Sequence, residues 1–133
     1  MSLRKVVVTG LGIVSSIGVG CEAVLQALKQ GKSGIVSDPE FIEKGMRSHI
    51  AGLVNLDFKE HIDRRILRFM GDAAAYAYIA MKEAISQAGL TEDQVSNERT
   101  GLFVGSGGGD TAAIVEAADT LRTRGIRRVG PYA

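Results

Sequence analysis

The sequence predicts an α/β fold, and three observations carry the prediction. Apolar runs at 6–8 (VVV) and 102–104 (LFV) read as the centres of two buried strands, because a strand covered on both faces shows a continuous apolar stretch. Residues 63–89 hold a long helical period, with apolar side chains three and four apart. The order along the chain is strand, helix, loop, helix, strand, helix, the alternation of a mostly parallel sheet flanked by helices.

The first strand spans 4–9 and is broken by Gly10 and Gly12. Residues 21–30 place Ala23, Val24, Ala27 and Leu28 on one helical face, and Gly31 stops that helix. Residues 31–57 carry Gly31, Gly34, Pro39, Gly45 and Gly52 and read as a long loop with short pieces of structure, a kind of segment that is often functional. In the main helix the apolar positions are Met70, Ala74, Ala77, Tyr78, Met81, Ala84, Ile85 and Ala88, and Gly89 suits its C-terminal cap. Thr91 or Asp93 caps a short turn. The second strand covers 99–105, GSGGGD follows, and 111–122 are helical. No internal boundary appears, so 1–133 reads as one unit.

Composition narrows the function classes. The 133 residues are 45% hydrophobic and 23% charged, a globular balance, with a net charge of +1 that gives no general attraction to nucleic acid or membrane. The sum hides an asymmetry: residues 120–133 carry four arginines and no acid, leaving a net of −3 on the rest. A basic end on a mildly acidic body suggests a local docking surface. Cys21, the single cysteine, makes no internal disulfide and supplies no cysteine cluster for a metal, which fits a reducing, cytoplasmic setting. The first residues lack the apolar stretch of a signal peptide, and no run approaches the ~18 apolar residues of a membrane span.

Residues 6–18, VVVTGLGIVSSIG, pose the question of a dinucleotide site. The fingerprint G-x-G-x-x-G follows a strand and opens a helix, with an acid ~20 residues on for the ribose. Gly10 and Gly12 fit, Ser15 stands at the third position, and Asp38 is the tempting acid, although Ile35-Val36 makes a poor central strand. The match is partial. The competing reading is that these glycines let the strand turn sharply against a neighbour. GSGGGD lies where an anion would meet a helix N-terminus. No Lys-Ser/Thr follows it, however, and Asp110 would repel phosphate; of the two remaining readings, a turn with an N-cap and a floor that lets a ligand approach the backbone, three consecutive glycines favour the floor, since a turn needs fewer.

No catalytic constellation is visible. His49 and His61 read as surface or structural residues. Cys21 opens a helix, a position that lowers thiol pKa values, but it has no histidine near it in sequence and reads as inert. Arg64, Arg65 and Arg68 form one basic group, and Arg122, Arg124, Arg127 and Arg128 a second. Each is either a solvated face or a docking patch. Without interleaved aromatics, a compact acidic protein suits them better than nucleic acid does.

VVVTGLGIVSSIG, GKSGI, GMRSH, IDRRILRFMGDAA, QAGL, GLFVGSGGG and VGPY occur in this order. Together they resemble the opening of the β-ketoacyl-acyl-carrier-protein synthases, the condensing enzymes of fatty acid synthesis, most like the type I bacterial enzyme, with type II the close second. The resemblance spans essentially the whole sequence. It implies a thiolase-like fold, of which this chain is the N-terminal part of a layered αβαβα architecture, incomplete in itself.

In that family an acyl chain passes from acyl carrier protein to a cysteine as a thioester. Malonyl carrier protein then loses carbon dioxide with the help of two histidines, and the resulting carbanion attacks the thioester. The family's nucleophile segment, its two histidines and a lysine lie beyond the residues matched here, and Cys21 does not match the nucleophile. The resemblance therefore implies no catalytic residue in this chain, no activity of the chain alone, and no metal or cofactor. It places Gly107, Gly108 and Gly109 beside the acyl pocket, where glycine at 108 widens it. Arg64, Arg65 and Arg68 fall in a carrier-protein patch, and Arg124 and Arg127 in a second. The segment ending VGPYA leads towards a dimer interface. The intact enzyme is expected to be a cytoplasmic homodimer. The alternatives are a non-catalytic carrier-docking module and, from the glycines alone, a dinucleotide-dependent dehydrogenase. A sheet completed only by later strands leaves apolar edges bare, so the isolated chain is expected to self-associate.

Overall fold

The computed structural model describes residues 4–130. Residues 131–133, the end of the stretch expected to lead to a dimer interface, lie outside the described residues.

The chain enters as extended backbone and makes a tight hairpin, in which β1 (Val14–Ser15) pairs antiparallel with β2 (Gly18–Val19). Helix α1 (Cys21–Lys29) follows, buries Val24 and Ala27, and ends before Gly31, whose φ of 64° is easy only for glycine. Of the four residues expected on its buried face, Ala23 and Leu28 remain exposed. The expected long loop contains a second antiparallel ribbon, β3 (Ile35–Ser37) with β4 (Ile50–Gly52), enclosing the short helix α2 (Pro39–Glu43). Asp38 caps α2, accepting from the Glu40 N–H at 2.9 Å, with Pro39 at the first helical position, where its missing N–H does no harm.

The helical period over 63–89 is real but divides in two. Asp63 caps a single turn, α3 (Arg64–Leu67), and the chain breaks at 69–71 before α4 (Asp72–Ala88). Helix α4 ends at Gly89, φ 65°, with the left-handed cap expected there. Its apolar face is set slightly differently from expectation. Ala75 and Ile79 are the buried positions, while Ala74, Ala77 and Met81 face outward. Ile62, Ala75 and Ile79 form the core, with Val14, Val19, Leu56, Phe58, Leu67, Met70 and Tyr78 packed around them. The Thr91–Gln94 capping box opens α5 (Glu92–Val95), and Asp110 caps α6 (Thr111–Arg124).

The two expected buried strands depart most from the sequence reading. Residues 4–9 and 100–105 belong to no helix or strand, Arg99 lies in a turn, and none of them pairs with a strand among the described residues. Val6 and Phe103 are both 94% exposed. The pairings that do form among those residues are antiparallel, in place of the expected parallel sheet. The reason is physical. A parallel strand is stable only with neighbours on its edges and helices over its faces, and the described residues supply neither to these two segments.

Candidate functional site

The glycines of the opening motif are explained by packing. A Cβ on Gly10 would collide with the Ala84 carbonyl oxygen, and one on Gly12 with that of Ala80, so both glycines bring the chain against the backbone of α4. The helix occupies the space a pyrophosphate would need. Ser15 sits in a hairpin and not at a helix start, with its hydroxyl donating to the Gly18 carbonyl at 3.1 Å. The next helix, α1, already has an anion at its N-terminus: Glu83 of α4 accepts from the Cys21 N–H at 2.6 Å and from the Ile13 N–H at 3.0 Å. Asp38, the candidate ribose acid, is buried as the cap of α2. These placements overturn the dinucleotide reading.

Glu83 is the residue that sequence reasoning missed. The Cys21 N–H bond leads the causes that hold its carboxyl below the usual range, and the Ile13 N–H bond adds to them against some burial. One helical turn on, Gln87 accepts from the Leu11 N–H at 2.7 Å. Glu83 and Gln87 stand four apart on the helix that carries the core, and that spacing was the available signal. Burial first, and then the charge of Glu83, pushes the Cys21 thiol up, against the effect of the helix N-terminus.

The arginines make up the two basic groups of the surface. Arg64 and Arg65 belong to α3, and Arg68 follows it directly. Arg65 turns back to Asp63 at 3.3 Å, an exposed pair of small energetic weight. The Arg68 guanidinium lies over the Phe69 ring, 4.4 Å from its centre. Among the described residues Arg64, Arg124, Arg127 and Arg128 have no ion-pair partner, whereas Arg122 is held by Asp119 at 3.1 Å. Arg68 and Arg128 line one open cavity of about 520 Å³, so the two basic groups, far apart in sequence, meet there. Asp72, Asp110 and Glu116 line it as well. Arg124 lines a second, shallower cavity along α6, and Arg127 stands beyond both in the turn after α6 (Ile126–Arg128).

Gly107, Gly108 and Gly109 form the exposed loop ahead of α6, with the Ser106 hydroxyl donating to the Gly108 carbonyl at 2.7 Å. None has a positive φ. A Cβ on Gly107 or Gly108 would meet open space, and one on Gly109 only Ile114 at 3.9 Å. The described chain itself therefore does not demand glycine at 107 and 108. His49 and His61 are exposed. Among the described residues no three acidic, histidine or cysteine side chains gather as a metal set, and no helix is long and apolar enough to cross a membrane.

The model of the β-ketoacyl synthase N-terminal domain matches residues 3–132. The chain is 58% identical over 132 residues to 3-oxoacyl-[acyl-carrier-protein] synthase 1 of Haemophilus influenzae, covering 98% of this chain and 32% of that protein. It is 48% identical to the synthase 1 of Escherichia coli K12 over the same shares. It is 34% identical over 133 residues to synthase 2 of Vibrio harveyi, covering 99% of this chain and 32% of that one. A solved structure, the ishigamide ketosynthase/chain length factor, superposes with a TM-score of 0.78 at 30% identity, covering 95% of this chain and 32% of the other. The chain thus spans about a third of the length of the relatives it matches.

Proposed function

We propose a role in carrier-protein docking and acyl-chain binding, from the premise that the chain belongs to the β-ketoacyl synthase family, in the N-terminal part of its thiolase-like fold. The full-length protein is a condensing enzyme of fatty acid synthesis. It joins an acyl thioester to malonyl-acyl carrier protein with loss of carbon dioxide. The higher identity to synthases 1 than to a synthase 2 supports the type I reading. The residues that carry the bond-making step lie outside this chain, which is inactive by itself. The enzyme works in the cytoplasm as a homodimer.

The observation that carries this reading is the meeting of Arg68 and Arg128 at one open cavity, with Arg64, Arg124 and Arg127 exposed and without ion-pair partners among the described residues. Unpaired guanidinium groups cost little to desolvate against a carboxylate and form paired hydrogen bonds with it. Acyl carrier protein is acidic, so these groups steer it and fix its register. The exposed Gly107–Gly109 backbone then borders the acyl chain, where the absence of side chains leaves it room.

The test is carrier binding to the full-length protein as a function of salt. With Arg64, Arg65 and Arg68 replaced by alanine, affinity should fall by about ten- to a hundredfold at low salt, and the salt dependence should flatten. Wild-type affinity in the triple variant would refute the docking role.

A further inference from the structure

We infer that Gly71 is a positioning residue: because it lacks a side chain, the Asp110 carboxylate can cap α6 and so anchor the glycine loop 105–109 to the turn that carries Arg68. The functional half of this inference rests on the docking and acyl-pocket reading above.

Gly71 is not required by its backbone. Its φ of −80° and ψ of 170° suit any residue. It also occupies the N-cap of α4, where serine, threonine, asparagine or aspartate would stabilise the helix, and it provides no side-chain cap. What does require glycine is proximity. A Cβ there would lie 2.6 Å from Asp110 Cγ and 3.0 Å from Asp110 Cβ, and would overlap Oδ2.

Asp110 is half-buried, and its Oδ1 accepts from the Ala113 N–H at 3.1 Å. One carboxylate therefore faces the N-cap residue of α4 and caps the first turn of α6, between two partially positive helix ends. The end of a side chain yields more readily than backbone, so a methyl group at 71 displaces Asp110, and the cap is lost.

The loop depends on that cap. Gly105, Gly107 and Gly108 have open space where a side chain would be, and Gly109 approaches only Ile114. Asp110 is thus the anchor at the loop's downstream end. Upstream of Gly71, three residues away across Phe69 and Met70, stands Arg68 of the docking patch. The contact joins the segment that meets the carrier to the segment that borders the acyl chain.

The test uses the full-length protein with Gly71→Ala, Asp110→Ala, Asp110→Asn and the Gly71→Ala/Asp110→Ala double variant. The readouts are amide hydrogen exchange at Ala113, carrier affinity, and the distribution of acyl-chain lengths accepted. Gly71→Ala and Asp110→Ala should each speed exchange at Ala113 by about tenfold. Both should shift the chain-length distribution. Asp110→Asn keeps an acceptor oxygen and should stay near wild type. The double variant should be no worse than the worse single one, because both act on one contact.

Unchanged exchange in Gly71→Ala, or effects that add in the double variant, would overturn the inference. Faster exchange with an unmoved chain-length distribution would overturn its link to the acyl pocket. A wild-type protein that neither binds carrier nor condenses would refute the docking reading instead, while exchange at Ala113 would still decide the contact.

Discussion

Removing the Glu83 carboxylate should detach the opening of the chain from its main helix. The side chain accepts from two half-buried backbone N–H groups, those of Ile13 and Cys21, on either side of the β1–β2 hairpin. Hydrogen bonds to a charged acceptor contribute about 1.5–3 kcal/mol each. Water reaches both groups in part, so the lower end applies and Glu83→Ala should cost about 3 kcal/mol. Glu83→Gln keeps a single acceptor oxygen and should cost about half of that. The assay is urea unfolding of the full-length protein followed by circular dichroism. The effect should depend on pH. The folded-state pKa of Glu83 is depressed, so its contribution is complete above the unfolded carboxyl pKa of about 4.3 and is lost as pH falls through the folded value below it. Equal stability of wild type and Glu83→Ala at pH 7, or equal losses in the Ala and Gln variants, would refute the assignment of two separate bonds to the two oxygens.

Gly12→Ala should be more damaging than Gly107→Ala or Gly108→Ala. At 12 the new methyl meets the backbone of α4 and at 107 or 108 it meets open space, so thermal unfolding should show a loss of at least about 3 kcal/mol for the first and little for the others. Cys21, its thiol pushed up by burial and by Glu83, should react with iodoacetamide at pH 8 more slowly than an unstructured cysteine, and Glu83→Gln should speed it; faster labelling of wild type than of a free thiol would contradict this. The 133-residue chain on its own should bind an apolar-surface dye and elute in size-exclusion chromatography larger than a monomer; a clean monomer without dye binding would count against the exposed faces described above.

The sequence made local features legible and long-range ones obscure. Gly31 and Gly89 end helices where their spacing after an apolar period said they would, because a left-handed cap is a local event. The Thr91 cap and the start of α6 after Asp110 were legible for the same reason. The Gly10–Gly12 pair looked like part of a nucleotide fingerprint because the need for close backbone approach is the same whether the visitor is a phosphate or a helix. Only the position of Ala80 and Ala84, some 70 residues on in the sequence, decides between them. Asp38 misled in a similar way, since a single acid before proline is equally a ribose ligand and a cap. Gly71–Asp110 and Glu83–Ile13 were invisible because each joins residues whose separation follows no helical or strand period. The basic groups were legible as charge. Their meeting through Arg68 and Arg128 was not, since it depends on how α6 lies against the 68–72 turn.

The surface itself favours part of a larger fold over a free-standing docking module. A folded monomer of 14.1 kDa should expose about 6,700 Å² by the usual scaling of area with mass. This chain exposes 11366 Å². The difference, about 4,600 Å², exceeds what one partner contributes even to a large obligate interface. Among the described residues only five apolar ones are buried, while Val6, Val7 and Val8 and Leu102, Phe103 and Val104 stand bare in the segments that read as sheet centres. A patch for a transient acidic partner would be small, charged and rimmed by solvent, as the arginines are. The bare valine and phenylalanine runs are of a different kind: continuous, branched or aromatic, and suited to strands covered on both faces. One chain thus carries two surfaces with different chemistry. The arginines are stable as solvated charges, whereas the apolar runs need further layers of a fold to cover them. A docking module would need only the first.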